Sequence, residues 1–565
     1  WPFIQLYSFT AGGDAKIVYN IGGGSPQTVT LEFDDALDDW ATLSDDRLSY
    51  PPGADVHITI SDNWLNVDPT DEDSWTFGSN ATNVTGTTTV YQAFDENGEN
   101  AGAGTPGGTT DITAGLGTIN AGDLGVLKIN YNPNNAPVDG ILTLVDNEDQ
   151  VLVAGVNASQ AFVDADPFAP NPLGQGSAPV TVVETESSTG IFQNTDESDT
   201  ANIRVAIDAP RGTTATVDYN DSPKSILVSN FFGTINMDVA TLAGEWNSGE
   251  ELPILLTDQD TNLNSKVDED ISVADGRFLL IPSLRIGSPI TLTGGTAAFD
   301  EATASVFFNT TKVDKFSDVL RAEVDKNSLY DAMTGDTPFL NFTLTSTGDN
   351  IQSFADSGST RSKYTFFNYD IRSLEDNLKK EPFTIRVHNA TANGTAVVLG
   401  NTLAVPTTNY QGIIAVTTPT SVPPVLSRHA IGGTDPAEVS FGFTALNTGT
   451  GLNATSYPFV VDFFNYGQSG DGNLPTERFN NALYRFELEE TGDNTGQFEG
   501  TVEYIMLNQL NVNSTTTYFG IDPITDQVVM IVGEDLTDED SPRINYLDKG
   551  ADGTSTQIAD QQEAP

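Results

Sequence analysis

The 565-residue chain carries 79 acidic and only 24 basic residues, a formal net charge of −55. This balance excludes nucleic acid and anionic membrane surfaces as partners, because both require basic patches, and it favours the binding of inorganic cations. Cysteine is absent, which excludes disulfides and thiolate metal sites, whereas 38% hydrophobic and 9% aromatic residues are enough to form packed cores.

From the N-terminus onward, short stretches of alternating apolar and polar residues predict β-strands separated by Gly- and Pro-containing turns. The clearest stretches are Asp55–Ser61, Gly125–Tyr131, Gly140–Asp146, Asn202–Ile207, Thr214–Tyr219 and Leu483–Leu488. Helix candidates are few: Phe316–Leu329 has an apolar helical face, and Ser373–Lys380 is long enough for one or two turns. The pattern predicts an all-β fold of tandem immunoglobulin-like β-sandwich domains with few short helices.

Pro-rich joints at 164–179 and 419–426 indicate linkers, each of which precedes a new strand. The length fits about three to five domains. We predict five segments: 1–79 with a first acidic loop, 80–175 with a Gly- and Thr-rich loop, 176–290 with a second acidic loop, 291–420 with the short helices, and 421–565 with an acidic C-terminal part.

No run of 18 apolar residues is present, so we expect no membrane span in this chain. No signal peptide is visible at Trp1. We therefore expect a mature chain or a segment of a longer protein.

A strand followed by an acidic loop occurs twice, 196 positions apart. The first copy begins at Gly53 and reads GADVHITISDNWLNVDPTDED, and the second begins at Gly249 and reads GEELPILLTDQDTNLNSKVDED. With one residue inserted, Asp71–Asp73 aligns with Asp268–Asp270. The repeat predicts a modular protein in which each module carries oxygen ligands at one end of a strand.

These loops supply candidate ligands for Ca²⁺, which takes about six to eight oxygens from carboxylates and carbonyls on a tightly curled loop. The second copy opens like an EF-hand loop, but Leu263 stands where that loop needs Gly, and its flanks predict strands. In the first copy Trp64 takes the place of Asp260. The predicted metal ligands are Asp258, Asp260, Asn262, Asn264, Asp268, Glu269 and Asp270 in the second copy, and Asp62, Asn66, Asp68, Glu72 and Asp73 in the first.

The alternative is that both loops are solvated acidic turns of an acidic protein. A looser third copy at 528–542 contains Glu534, Asp535, Asp538, Glu539 and Asp540, and there a solvated charge run is the favoured interpretation. The sequence does not separate Ca²⁺ from other cations.

A second repeat reads ETESSTGIF at Glu184–Phe192, STGDNIQSF at Ser346–Phe354 and ETGDNTGQF at Glu490–Phe498. Its glycines permit turns, and its terminal phenylalanines are expected to fill cores. We interpret this repeat as structural rather than catalytic.

Catalytic constellations are hard to build from this chain. Its three histidines are His57, His388 and His429, and no HExxH, GxSxG or P-loop motif is present. Paired carboxylates for glycoside hydrolysis remain open among so many acids, but we predict that the protein is not an enzyme. Candidate glycosylation sequons lie at Asn80, Asn83, Asn157, Asn389, Asn393, Asn453 and Asn513.

The order of these motifs resembles the large surface-layer (S-layer) proteins of ammonia-oxidising archaea, in which strings of immunoglobulin-like domains carry similar acidic loops and ETGxNTGxF segments. The corresponding stretches are Thr257–Asp270 and Glu490–Phe498, with weaker versions at Ser61–Asp73, Ser346–Phe354 and Glu184–Phe192. The resemblance implies a secreted, glycosylated cell-surface protein that assembles with itself into a porous two-dimensional lattice.

Two other functions compete with the S-layer hypothesis. Acidic immunoglobulin-like repeats also occur in bacterial adhesins and haloarchaeal surface proteins, so a cell-surface adhesin or stalk of tandem domains is the alternative. A secreted hydrolase with accessory sandwich domains is the third.

Overall fold

The computed structural model describes residues 13–20, 22–32, 41–66, 69–79, 88–96, 126–130, 141–144, 180–195, 199–220, 222–242, 245–278, 280–291, 305–308, 311–313, 316–317, 321–325, 339–345, 361–377, 383–390, 397–407, 409–417, 438–444, 456–469, 474, 477–511, 514–518, 521–536, 540, 542–551 and 555–561. β-Strands dominate these residues. The prediction of an all-β fold is confirmed, and the multiple antiparallel sheets are consistent with sandwich architecture.

The chain forms two compact units, Trp1–Ser229 and Asn230–Pro565. The boundary falls inside the segment predicted at 176–290. Both units are therefore larger than the predicted segments, and each contains one of the two acidic loops.

The first unit contains thirteen strands within its described residues. They are β1 Asp14–Tyr19, β2 Gln27–Glu32, β3 Thr42–Asp45, β4 Ile58–Ser61, β5 Ser74–Ser79, β6 Thr88–Glu96, β7 Val126–Asn130, β8 Leu142–Leu144, β9 Val180–Glu184, β10 Ile191–Gln193, β11 Ile203–Val205, β12 Thr214–Tyr219 and β13 Lys224–Leu227. Nine of them form one sheet in the order β13-β12-β7-β6-β5-β9-β10-β4-β3, and β11 pairs with β8. Ile58 and Ile60 on β4 and Val217 on β12 are fully buried in its core.

The first two strands form a separate antiparallel hairpin. Its register places Ile17 opposite Val29 and Ala15 opposite Leu31, so these residues share one face with Tyr19, because side chains on a strand alternate between faces. Ile17, Val29, Leu31 and Tyr19 are nevertheless 59%, 59%, 55% and 66% exposed. The hairpin therefore has an amphipathic pattern whose apolar face is open.

The second unit contains the remaining strands. They are β14 Thr234–Met237, β15 Leu252–Thr257, β16 Ser283–Ile286, β17 Ile290–Thr291, β18 Ser305–Phe308, β19 Thr311–Val313, β20 Phe316–Ser317, β21 Arg321–Asp325, β22 Phe339–Thr345, β23 Arg361–Asp370, β24 Phe383–Ala390, β25 Val397–Thr407, β26 Gln411–Thr417, β27 Glu438–Thr444, β28 Ser456–Ser469, β29 Arg478–Phe486, β30 Glu489–Glu490, β31 Gln497–Met506, β32 Ile524–Thr525, β33 Gln527–Val532, β34 Arg543–Lys549 and β35 Ser555–Gln561.

Three sheets organise these strands. One has the order β14-β15-β31-β30, with β33 parallel to β31. A second has the order β20-β21-β28-β29-β16-β34-β35, with β17, β23, β26 and β32 attached, and the third has the order β19-β18-β22-β27-β24-β25. On β15 the strict alternation of buried Leu252, Ile254 and Leu256 with more exposed neighbours directs one face into the core.

Helical structure among the described residues is limited to 3₁₀ turns at Val239–Leu242, Arg372–Asn377, Leu507–Gln509 and Thr515–Thr517. The short helix predicted at Ser373–Lys380 corresponds to the second of these. In the described parts of the chain, no helix is long and apolar enough to cross a membrane.

The helix predicted at Phe316–Leu329 is wrong, because its described parts are strands β20 and β21. Ala322 and Val324 alternate into the core at 0% and 2% exposure, and β21 pairs with β28. Arg321, also fully buried, donates to the backbone carbonyls of Val273 and Phe278, each at 2.6 Å. These long-range contacts outweigh the local helical pattern.

One buried aspartate in each unit is paired with a buried arginine. Arg204 donates to Asp55 at 2.5 Å in the first unit. In the second unit Arg485 donates to Asp462 at 2.6 and 3.1 Å, with both side chains fully buried. Pairing of this kind is the usual condition for taking a charge out of water.

Candidate functional site

The two acidic loops begin with the same arrangement around their first aspartate. The backbone N–H of Asp62 donates to the carbonyl of Gly190, and that of Asp258 donates to the carbonyl of Gly496, both at 2.9 Å. Each aspartate also accepts a buried tyrosine hydroxyl: Tyr219 donates to Asp62 at 2.6 Å, and Tyr546 donates to Asp258 at 2.7 Å. The first aspartate therefore ties each loop to a distant strand.

A buried glutamate from the second repeat closes each loop. In the first unit, Glu184 accepts the N–H groups of Thr189 and Gly190 at 2.6 Å and that of Asp73 at 3.2 Å. In the second unit, Glu490 accepts the N–H groups of Thr495, Gly496 and Glu269 at 2.8, 2.6 and 3.2 Å. We call each glutamate with its three N–H donors a glutamate clamp.

The clamps join the two sequence repeats into one structural module that occurs twice. Gly190 and Gly496 both have positive φ, +63° and +62°. A Cβ at Gly190 would collide with the Asn63 side chain, and one at Gly496 would collide with the Gln259 side chain. Glycine is thus required at the turn that the clamp holds.

The clamps also correct the alignment of the two loops. Asp73 and Glu269 occupy the same position, because each donates its N–H to the clamp glutamate and accepts that glutamate's own N–H at 2.9 Å. Their separation is the same 196 positions that separates Gly53 from Gly249. The inserted residue predicted between the copies is therefore wrong, and Asp73 aligns with Glu269 rather than with Asp270.

The pKa shifts at the two modules concern different positions: Glu184, the clamp glutamate of the first unit, and Glu269, which lies beside the clamp of the second. Burial raises the pKa of Glu184, but the N–H donors of Gly190, Asp73 and Thr189 outweigh burial and hold that pKa below its usual range. In the second unit burial, together with the charge of Glu490, raises the pKa of Glu269 to about 9. Glu269 is therefore a neutral acid at pH 7, buried beside the clamp.

Three carboxylates meet in the second unit. Asp258, Asp260 and Asp548 each offer an oxygen within 4.8 Å of the others. Asp260 accepts the Phe231 N–H at 2.9 Å and the Asn230 side-chain amide at 3.1 Å. Burial and the neighbouring carboxylates raise the pKa of Asp258 to about 6 and that of Asp260 to about 8. Such a cluster can hold protons or a hard cation.

The other predicted ligands of the second loop do not join this cluster. Asn262 donates to Asn494 at 3.2 Å in the clamped turn, and Asn264 donates its backbone N–H to Glu269. Asp268 and Asp270 are exposed. The loop therefore contributes two of its seven predicted ligands to the cluster, and Asp548 arrives from β34.

The first loop keeps the module without the cluster. Asp62 and Asp73 are 3% and 1% exposed and serve the contacts described above. The Asn66 side chain donates to the Ser188 hydroxyl at 3.4 Å, in the turn equivalent to the one that Asn262 contacts through Asn494. Glu72 is exposed. Asp68 lies outside the described residues.

Sequence reasoning missed Tyr219, Tyr546, Asp548 and Asn230. A signal for the first three exists: the pattern Tyr-x-Asp occurs at Tyr219-Asn220-Asp221 and at Tyr546-Leu547-Asp548, and both tyrosines lie in strands, β12 and β34. The anchoring role of Glu184 and Glu490 was also missed, although the quoted repeats begin with these residues. Asn230 has no local signal, because its partner Asp260 lies 30 positions away.

Of the predicted glycosylation sites, Asn389 is the one within the described residues. It lies in strand β24 opposite Val439 of β27. Asn80, Asn83, Asn157, Asn393, Asn453 and Asn513 lie outside the described residues.

Fold and modules together define a class: an acidic all-β protein with a duplicated, glutamate-clamped acidic loop. No family model and no curated protein matches the chain. Among solved structures, a mutant of Salmonella alpha-2-macroglobulin is similar at 10% identity and a TM-score of 0.09, over 95% of this chain and 34% of that one. Similarity at this level carries no argument about function.

Proposed function

We propose that this chain is a structural subunit of an archaeal cell-surface S-layer, which assembles with itself into a porous, strongly anionic, cation-binding two-dimensional lattice. On this proposal the protein is extracellular, glycosylated and not an enzyme, and Ca²⁺ is its principal cation. A cell-surface adhesin or stalk of tandem domains is the alternative that the experiment below must separate from it.

The observation that carries the proposal is the open apolar face of the β1–β2 hairpin. A two-stranded hairpin alone is marginally stable in water and needs a further surface against its apolar side. Ile17, Tyr19, Val29 and Leu31 are each more than half exposed. Both hairpin edges are also free of partner strands among the described residues.

A second copy of the chain is the occupant that we propose for this face. The same hairpin in two copies can pack face to face about a twofold axis, so that the apolar face of each copy covers that of the other, because such an interface is self-complementary. Repeated use of such contacts together with others extends a sheet of subunits.

The net charge of −55 opposes any such association, since like charges repel across an interface. Divalent cations lower this repulsion and are required for assembly on the proposed model. The remaining charge lines the pores, where its field extends about 8 Å at physiological ionic strength. The lattice thus concentrates cations and excludes anions from narrow pores.

Electron microscopy of purified chain, incubated with CaCl₂ or with EGTA, tests the proposal. We expect ordered sheets with calcium and dispersed particles with EGTA. The double variant Ile17→Asp/Leu31→Asp should remain dispersed with calcium, whereas Leu48→Asp, at a position that is 97% exposed, should assemble normally. Elongated particles without lateral order would overturn the lattice in favour of the adhesin, and turnover of a polysaccharide or peptide would overturn the non-enzymatic assignment.

A further inference from the structure

The carboxylate cluster of the second unit has the spacing of a cation site. Oxygens bound to one Ca²⁺ at about 2.3–2.6 Å can lie up to about 5.2 Å apart. The oxygens of Asp258, Asp260 and Asp548 lie within 4.8 Å of one another. Asp258 and Asp548 are each 1% exposed, so any ion held there is largely withdrawn from water.

Asn230 gives an independent indication of a missing ligand. Its side chain is 5% exposed and faces the cluster, since its Nδ2 donates to Asp260 at 3.1 Å. Its Oδ1 is buried and has no hydrogen-bond partner within the part of the chain that the structure describes. A buried amide oxygen of this kind costs about 1–3 kcal/mol. Rotation of the amide by a half turn presents this oxygen to an ion held by Asp260.

Charge at the cluster also favours a cation. Asp55 and Asp462 are buried against arginines. Asp258 and Asp260 instead accept hydrogen bonds from a tyrosine hydroxyl, an asparagine amide and backbone N–H groups. A cation bound between these closely spaced carboxylates would offset their mutual repulsion.

A glycine borders the cluster in the second unit, and an alanine occupies the equivalent position in the first. A Cβ at Gly233 would lie 3.3 Å from Asp258 Oδ2 and 3.4 Å from Asp548 Oδ1. Strands β3 and β14 pair with the strands that precede the two loops in equivalent register, so Ala41 takes the place of Gly233 in the first unit. Trp64 takes the place of Asp260 there.

We propose that Asp258, Asp260, Asp548 and Asn230 form a Ca²⁺ site, present in the second unit and lost from the first. All donors are oxygens, which selects a hard cation over transition metals. The site deepens the proposed function and rests on it for the choice of calcium as the ion encountered, but binding itself requires no lattice.

Calorimetric titration of CaCl₂ into the chelator-treated full chain tests the site. The titrated chain carries Ile17→Asp/Leu31→Asp, so that binding is measured without assembly. KCl at about 0.5 M shortens the Debye length to about 4–5 Å and suppresses diffuse binding to surface charge. We expect one stoichiometric Ca²⁺, lost in Asp260→Asn and in Asp548→Asn. Asp62→Asn, which removes the matching carboxylate of the first unit, should retain it.

A second measurement covers variants that fail to fold. Tb³⁺ replaces Ca²⁺ at oxygen sites and emits when a nearby tyrosine is excited, and the hydroxyl of Tyr546 lies 2.7 Å from Asp258. We expect Tb³⁺ emission on excitation of tyrosine. Added Ca²⁺ should displace Tb³⁺ and lower this emission, and Tyr546→Phe should weaken it. Absence of stoichiometric Ca²⁺ from the parent chain, or its retention in both Asn variants, overturns the site. Binding without ordered sheets would refute the lattice alone, and sheets without binding would refute the site alone.

Discussion

At the residue scale, Glu184 and Glu490 hold the two acidic loops in place. Each carboxylate satisfies three backbone N–H groups that the turn and the loop would otherwise leave buried without acceptors. Hydrogen bonds to an ionised acceptor are about twice as strong as neutral ones. The clamp glutamates therefore fix the loop conformation. Other acidic positions of the loops differ between the two copies: Trp64 stands in place of Asp260, and Asp73 in place of Glu269.

Replacement of Glu184 by glutamine should destabilise the first unit. The amide keeps one acceptor oxygen but turns an NH₂ group toward backbone donors, so we expect a loss of about 1–3 kcal/mol in the free energy of unfolding at pH 7. Urea denaturation measures it. Glu186→Gln, at an exposed position of the same turn, should be nearly neutral, and equal losses in the two variants would contradict the clamp.

The pH dependence of that loss has a definite sign. The pKa of Glu184 lies below its ordinary value of 4.5 in the folded chain, so its stabilisation is complete above that value and disappears as pH falls through the folded pKa. The difference in unfolding free energy between wild type and Glu184→Gln should therefore be largest at neutral pH and shrink below about pH 4.5. A difference that does not change with pH would rule out an ionised clamp.

At the residue scale, the sequence predicts that the module is repeated but does not predict the hydrogen bonds of the clamp glutamates. Glycine spacing and the buried Phe192 and Phe498, both 0% exposed, follow from the repeat. The alignment around Asp73 failed because its contacts to Glu184 run through the backbone, which any residue supplies. Matching acidic side chains therefore misled the comparison of Asp73 with Glu269.

At the scale of secondary-structure elements, the sequence predicts individual strands best. Alternation over Thr214–Tyr219 predicts β12 with its observed bounds. It fails at β20 and β21, because the pairing of β21 with β28, far along the chain, is invisible in a local pattern. The same limitation hid Asp548, since β34 reaches the acidic loop only through the folded sheets.

Strand β31 is the central element of its sheet, with β15 antiparallel and β33 parallel to it. Gly500 lies where a Cβ would meet Leu488 Cδ2 at 2.5 Å and the Asp526 carbonyl oxygen at 2.6 Å. Gly500→Ala should therefore cost about 1–3 kcal/mol through overpacking, measured by thermal unfolding. Gly533→Ala, whose nearest neighbour would be 3.8 Å away, is the matched control, and an equal effect of the two would contradict a steric cause.

At the scale of the whole molecule, two units with separate cores share one chain. We expect scanning calorimetry to resolve two unfolding transitions, with Ca²⁺ raising the one that belongs to residues 230–565. Ligand at about 100 times its dissociation constant adds about 2.7 kcal/mol to the state that binds it. Asp62→Asn and Asp258→Asn assign the transitions, because each replaces the charged acceptor of a tyrosine hydroxyl in one unit by a neutral one. A calcium shift of both transitions would contradict a site confined to the second unit.

The tyrosine contacts also set an order of completion during translation. The Tyr219–Asp62 hydrogen bond closes 157 positions, whereas the Tyr546–Asp258 bond closes 288. A nascent chain can finish the first module as soon as Tyr219 has emerged, but Asp258 must wait for β34, and loop closure over such separations slows folding. A polypeptide that ends before Tyr546 therefore contains the acidic loop but lacks both the tyrosine partner of Asp258 and the third carboxylate, Asp548. A complete carboxylate cluster thus forms only after β34 has been synthesised.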